Sequence, residues 1–321
     1  MAKITYSEQT YECRSDESVL QCLARHGVEL SSSCRAGVCQ TCMVVATDGI
    51  PPAAAQKGLK PQLQQQGYFL ACICTPEQDL TFAKPDDTAL PKITATVVDK
   101  LPLNDTILRL RIKPETPIDF HPGQFLNLHR EDELIRSYSI ASLPDEENIE
   151  LHIELIENGR MSGWLHDDVA VGETIRLDGP HGDCFYLGTN PAENMLLVGT
   201  GSGLAPLWGI LRDALKRGHT GAIHLFHGTR QAERLYLVDE LRELANKHPN
   251  FHYTPCISGE DVPDFCEAGR CNEVALKYYP KLTGWRLFLC GNPDMVNGMK
   301  KKGFLAGANL TDIHADPFII K

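Results

Sequence analysis

The 321-residue sequence has no run of about 18 apolar residues, so nothing in it is predicted to span a bilayer. Its first residues, "MAKITYSEQTYEC", lack the apolar core of a secretory signal and read as a first strand. Positive charge is scarce as well. Against 42 Asp+Glu stand 31 Lys+Arg, a formal net charge of −11, and nucleic acid is not an expected partner. No internal repeat or low-complexity tract is visible. These absences predict a cytoplasmic chain with no membrane span, and at 321 residues it is long enough for two or three cores.

What the sequence has in quantity is cysteine, 12 residues, seven of them before residue 75. Clustered cysteines without an export signal point to metal or redox chemistry more than to disulfides. The acidity is clustered too. Residues 91–188 carry 9 Lys+Arg and 18 Asp+Glu, which is either a solvated face or a field that steers a basic partner protein.

The chain reads as three segments. Residues 1–84 mix short strand patterns with one helical pattern, "DESVLQCLARHGVEL", whose apolar positions are 19, 20, 23 and 24. "AKPDDTALP" then loses periodicity, which places a linker at 85–91. Residues 92–187 run strand after short strand with period-2 alternation, as in "ILRLRI", and predict a small antiparallel barrel interrupted by one helix at "SGWLHDDV". Residues 190–321 alternate apolar strands with helical patterns, the pattern of a parallel α/β sheet that binds ligands at the carboxyl ends of its strands.

In "SSSCRAGVCQTC" the spacing of Cys34, Cys39 and Cys42 is C-x4-C-x2-C, and Cys72 or Cys74 follows near 30 residues on. That arrangement is the plant-type [2Fe–2S] spacing. Small residues between the thiols let backbone N–H groups approach a buried, negatively charged cluster. Zinc fits poorly, because structural zinc sites pair two C-x2-4-C units or one such unit with two histidines. Cys13 and Cys22 read as small core residues. "CEAGRC", Cys266 to Cys271, repeats the first spacing but has no third cysteine and reads as two packed thiols.

With three further motifs the whole chain resembles the NAD(P)H-dependent reductase components of bacterial multicomponent oxygenases. These fuse a plant-type ferredoxin to a module like ferredoxin–NADP reductase. The resemblance implies a β-grasp ferredoxin, then an antiparallel Greek-key barrel for flavin, then a parallel-sheet α/β domain for the nicotinamide nucleotide. It selects Cys72 as the fourth cluster ligand after Cys34, Cys39 and Cys42. "RSYSI" resembles the flavin signature, implying that Arg136, Ser137, Tyr138, Ser139 and Ile140 line the flavin, with Ser139 near its N5 atom. "ENGRMSGW" resembles the family's phosphate turn and implies Gly159, Met161 and Ser162, while His152 and Ile153 are expected to touch the flavin by backbone.

"LLVGTGSGLAP" follows an apolar strand, opens a helix, and is not a G-x-G-x-x-G loop. It looks like the family's nicotinamide-nucleotide turn, which implies Gly199, Thr200, Gly201, Gly203, Ala205 and Pro206. "LCGNPDM" implies Cys290 beside the nicotinamide, with Gly291, Pro293 and Met295 shaping the turn. Phe318 in "HADPF" is carried over as the ring that covers the flavin.

The expected cofactors are a [2Fe–2S] cluster, FAD (with FMN open from sequence) and NADH, with NADPH the alternative. Arg230 and Arg234 are the candidate cations for a 2′-phosphate. The expected activity is an electron-transfer oxidoreductase serving a terminal oxygenase or its ferredoxin. The same path serving a deoxysugar dehydrase is the alternative, and a redox sensor a third. A monomer is the expected state.

Overall fold

The computed structural model describes residues 2–85 and 92–319; residues 86–91 of the expected linker lie outside them. The described chain forms three sheets, one in each expected segment. Compactness divides it differently, into two units. One comprises residues 1–93, 127–137 and 176–181, the other residues 94–126, 138–175 and 182–321.

The first sheet has strands β1 (Lys3–Tyr6), β2 (Gln9–Glu12), β3 (Met43–Asp48), β4 (Tyr68–Leu70) and β5 (Leu80–Ala83), in the order β2-β1-β5-β3-β4. The β1–β5 pair is parallel and the others antiparallel. Helix α1 (Val19–Arg25) opens on a capping box: the Ser18 side chain accepts from Gln21 N, and Gln21 reaches back to the Ser18 backbone. It buries Val19, Leu20, Cys22 and Leu23 on the sheet. Cys22 is in the core as expected, its thiol donating to the Glu12 carbonyl at 3.6 Å, while Ala24, expected on the same face, is exposed. A short helix, α2 (Pro61–Gln65), precedes β4. Glu17, 8% exposed, takes Arg25 Nε at 2.8 Å and Nη2 at 2.9 Å, which satisfies an acid at the helix start with a cation at its end.

The second sheet is six-stranded: β6 (Ile93–Pro102), β7 (Ile107–Pro114), β8 (Phe125–His129), β9 (Ile135–Ser139), β10 (Ile149–Glu154) and β11 (Thr174–His181), ordered β10-β7-β6-β11-β8-β9. Its non-consecutive neighbours give Greek-key crossovers. The expected helix is a single turn, α3 (Arg160–Gly163), continued by a π turn at Trp164–Asp168. Lys100 Nζ donates to the His166 and Val169 carbonyls at 3.0 and 2.5 Å, which satisfies groups a short helix leaves open.

The third sheet is parallel: β12 (Asn194–Thr200), β13 (Ile223–Thr229), β14 (Phe251–Ile257), β15 (Glu267–Ala268), β16 (Trp285–Gly291) and β17 (Ile313–Pro317), ordered β15-β14-β13-β12-β16-β17. Its near-continuous apolar strands are buried on both faces. Met195 and Leu197 pack with Leu204, Leu207 and Leu211 of α4 (Leu204–Lys216) and Leu241 of α5 (Val238–Lys247). Leu196 and Val198 face the opposite side, toward α6 (Cys271–Tyr278) and α7 (Pro293–Leu305). The strand order reverses between the parallel neighbours β12 and β16, which makes the carboxyl ends of those two strands a switch-point crevice.

The Glu17 carboxyl is held down from 4.5 to about 2, chiefly by the Arg25 hydrogen bond. A depressed folded-state value stabilises the fold above the ordinary carboxylate range. That contribution is lost as pH falls through about 2. Acid titration of the fold by circular dichroism is expected to show this loss between those two pH values, and Glu17→Gln to flatten that limb.

Candidate functional site

The cysteine loop lies between α1 and β3. Arg35, Gly37 and Gln40 all have positive φ (50°, 76° and 59°), which coils the backbone tightly around the thiols. The Cys34 sulfur accepts from the N–H groups of Ala36 and Cys39, and the Cys39 sulfur accepts from Cys34 N–H, each at 3.3 Å. The Cys34 and Cys39 thiols influence each other's titration, as do those of Cys42 and Cys72. The Cys39 thiol and the loop N–H groups pull Cys34 down to about 5. Cys42 lowers Cys72 in the same way, while Cys39 and Cys42, as the donors, are pushed up. Four cysteine sulfurs with backbone N–H donors among them would, once deprotonated, supply the four thiolates a two-iron cluster requires.

Cys74 is fully buried in the core, and burial raises it to about 12. Cys13, Cys22 and Glu17 are the one group of three metal-type side chains with ligand atoms within 4.8 Å among the described residues. Since Arg25 already occupies Glu17, this is a satisfied core cluster. Cys271 is buried with its thiol 3.6 Å from the Gly199 carbonyl, and Cys266 is half-buried.

Strand β9 carries "RSYS". With period-2 alternation, Arg136 and Tyr138 share one face, half-buried, while Ser137 and Ser139 share the other. A guanidinium and a flat ring side by side suit a ligand with both phosphate and an aromatic system. Ser139 is 7% exposed and donates to Asp316 Oδ2 at 3.4 Å. Ile140 is fully buried and bridges to Leu151. His152 is turned inward to Glu150 and Tyr236, and burial lowers its pKa. The Ile153 carbonyl already accepts from His166 Nε2 at 3.0 Å. Ser162 spends its hydroxyl inside its own turn, donating to the Gly159 carbonyl and accepting from Ile156 N–H. Met161 is buried beside it.

At the switch-point crevice the two turns pack backbone to backbone. A Cβ on Gly203 would lie 2.4 Å from the Cys290 carbonyl, and one on Gly291 (φ +112°) 2.5 Å from Thr200 Oγ1. Thr200 Oγ1 also accepts from Asn292 N–H at 2.8 Å. Gly199 has Leu207 against it, and Ala205 and Pro206 are buried in the first turn of α4. Ser202 N–H and Oγ donate to Glu154 Oε2 at 3.2 and 2.6 Å, with Gly201 (φ +54°) alongside, so this loop presents donors to an anionic oxygen. Cys290 is fully buried, with its sulfur 3.7 Å from Cys184; burial and that neighbour push its thiol well above the ordinary range. Pro293 opens α7 and Met295 packs in the core. Phe318 is half-buried and its N–H donates to the Gly291 carbonyl at 2.7 Å.

Beyond β13 and β14, Arg230, Glu233, Gly259, Glu260 and Asp261 line a cavity of about 560 Å³. Arg234 is paired with Asp105 at 3.2 Å. Of the two candidate cations only Arg230 lines the cavity, beside three acids.

Sequence reasoning passed over Asp316, Glu154 and Cys184. Asp316 stands inside the quoted "HADPF", and strand alternation with Phe318 was the available signal. No local pattern marks the other two.

Three protein-family models match the chain: a 2Fe-2S iron-sulfur cluster binding domain over residues 3–77, an oxidoreductase FAD-binding domain over 94–186 and an oxidoreductase NAD-binding domain over 197–301. The chain is 35% identical over 311 residues to the ferredoxin–NAD(P)(+) reductase component of the naphthalene 1,2-dioxygenase system of Pseudomonas putida. That match covers 94% of this chain and 93% of the relative. It is 31% identical to the phenol 2-monooxygenase reductase component DmpP of Pseudomonas sp. (strain CF600), covering 90% and 86%. The solved structure of the Amycolatopsis cytochrome P450 reductase GcoB superposes with a TM-score of 0.72 at 29% identity, covering 99% of each chain.

Cys72→Ser is expected to abolish the visible iron–sulfur absorbance of the purified protein. Cys74→Ser is expected to keep it and to lower stability by roughly 1–3 kcal/mol, the cost of a poorly paired buried hydroxyl. Gly203→Ala forces the two turns apart, and calorimetric titration is expected to show NADH affinity falling on the order of tenfold.

Proposed function

The chain belongs to the ferredoxin–NAD(P)+ reductase components of oxygenase systems, and from that premise we propose that it carries electrons from NADH to a terminal oxygenase. The observation that carries this reading is the coexistence, in one chain, of a loop of three cysteines with Cys72 as a fourth, an Arg–Tyr strand and a glycine-locked nucleotide crevice. We assign the cluster to Cys34, Cys39, Cys42 and Cys72, the flavin to the β9 strand and the Gly159 turn, and the nucleotide to the β12 and β16 turns. The proposed domain limits, 1–84, 92–187 and 190–321, are supported by the three matched family regions.

When bound, FAD supplies the conversion of a two-electron hydride into single electrons, and the cluster accepts them one at a time. The chain's own part is orientation. Arg136 offers a fork to phosphate, and Tyr138 a flat apolar face. Ser139 Oγ holds a proton directed at Asp316 Oδ2, and half-exposed Asp316 connects that proton to solvent. Cys290, neutral and packed on Cys184, sets the shape of the crevice.

The choice of NADH is supported by the cavity beyond β13 and β14. A 2′-phosphate carries about −1.5 to −2 at neutral pH. It would meet Glu233, Glu260 and Asp261 with one arginine to offset them, whereas a ribose diol can donate to those carboxylates.

Anaerobic mixing with NADH is expected to bleach flavin and iron–sulfur absorbance within seconds; the absence of bleaching with either nucleotide overturns the reductase reading. NADPH is expected to have a kcat/KM at least about tenfold lower, a gap that narrows as salt screens the acids. Reduction of a purified oxygenase component, compared with a sugar-nucleotide dehydrase, tests the acceptor.

A further inference from the structure

The cysteine loop is tied to the second sheet at two points, and a buried chain of hydrogen bonds makes both ties. Asn127, in the middle of β8, is 1% exposed. Its amide nitrogen donates to the Cys39 carbonyl at 2.8 Å and to Asp178 Oδ1 at 2.9 Å, and its oxygen accepts from Ser137 Oγ at 2.8 Å. Ser137 gives its only proton to Asn127, so the 3.1 Å contact with Ser33 has Ser33 as the donor. The amide orientation is fixed by its partners, since the reversed group would set its oxygen against a carboxylate and a carbonyl. Asp178 is itself held by His129 Nε2 at 2.5 Å and His181 Nε2 at 2.6 Å. Ser33 and Cys39 bracket Cys34, so the first C-x4-C turn is fastened at both ends to β8 and β9, the latter being the strand that carries the proposed flavin residues.

We propose that Asn127 is the positioning residue for electron transfer between flavin and cluster: with Ser137 it fixes the cysteine loop against β9, and it takes no part in hydride transfer. The inference rests on the reductase reading. In the overall reaction NADH and two one-electron acceptors give NAD+, one proton and two reduced acceptors, with the proton passing to solvent. Only the single-electron steps depend on where the loop sits. Their rate falls steeply with the separation of donor and acceptor, so a loop displaced from β9 slows them.

The test uses the holoprotein and Asn127→Leu, with Ser33→Ala as a milder second variant that cuts the other tie. In stopped flow with NADH, Asn127→Leu is expected to reduce flavin within about twofold of the wild-type rate and to keep NADH–ferricyanide activity. Cluster reduction is expected to slow severalfold, well beyond any change in flavin reduction. Hydrogen–deuterium exchange of the Cys34–Gln40 amides is expected to rise in both variants, a readout independent of turnover. In the wild type the flavin-to-cluster rate is expected to be unaffected by glycerol viscosity, because the loop does not have to swing into place.

Three results overturn the proposal. One is a wild-type transfer rate that falls in proportion to viscosity. Another is transfer and loop exchange in the variants that match the wild type. The third is a parallel loss of flavin and cluster reduction. If Asn127→Leu does not fold, Ser33→Ala and the wild-type viscosity series decide. Failure of the wild type to bleach at all overturns the reductase reading instead.

Discussion

A carboxylate buried in a low-dielectric interior has to be met by donors, and of two such groups among the described residues of the first compact unit, Glu17 and Asp178, the more deeply buried is Asp178. Only 4% of it is exposed. Burial alone pushes its pKa up, but hydrogen bonds from His129 and His181 outweigh that and hold it below the usual carboxylate range. Its remaining demand is met by Asn127. The dependence runs both ways. Without the carboxylate, three donors on β8 and β11, Asn127 and His181 among them buried, lose their acceptor, and leaving buried groups unpaired costs about 1–3 kcal/mol each. Because Asn127 cannot turn without breaking this set, the Cys39 carbonyl has a fixed partner, and the cluster loop inherits its position from a charge some distance along the chain.

The second unit solves its positioning problem by volume. The turns after β12 and β16 approach so closely that neither Gly203 nor Gly291 has room for a side chain. Apolar strands covered on both faces allow no slippage that would open the gap, since Leu196 and Leu197 are anchored in opposite cores. Glu154 then fills the donor position at Ser202 with a carboxylate oxygen. A nucleotide that uses those donors has to displace this carboxylate or share them with it.

The chemistry-bearing residues were legible because their spacing reflects local geometry. The cysteine triplet, the β9 signature and the glycine turn are each contained within about a dozen residues, and short loops need particular residue types. The three sheets were legible from periodicity. The compact division was not, since residues 127–137 and 176–181 reach the first unit through pairings far apart in sequence. Asn127 carried a faint signal, a polar residue amid the apolar "FLNLH", but which partners it meets depends on register. On α1, Cys22 is buried as its reading as a core residue predicts, whereas Ala24, placed on the apolar face by spacing, is exposed.

On the proposed reading, the residues around the nicotinamide act by size and orientation more than by proton transfer. Hydride passes as one particle, so no base has to remove a proton in the same step. Cys290 fits this: its thiol is fully buried and pushed well above its ordinary range, so it stays neutral and cannot serve as a nucleophile or base. Its strand neighbour Asp316 is different, half-exposed and bonded to Ser139. The pair therefore separates two duties on adjacent strands. A neutral thiol shapes the crevice where a charge would repel the departing hydride's electron pair, and a carboxylate one strand over holds the Ser139 hydroxyl.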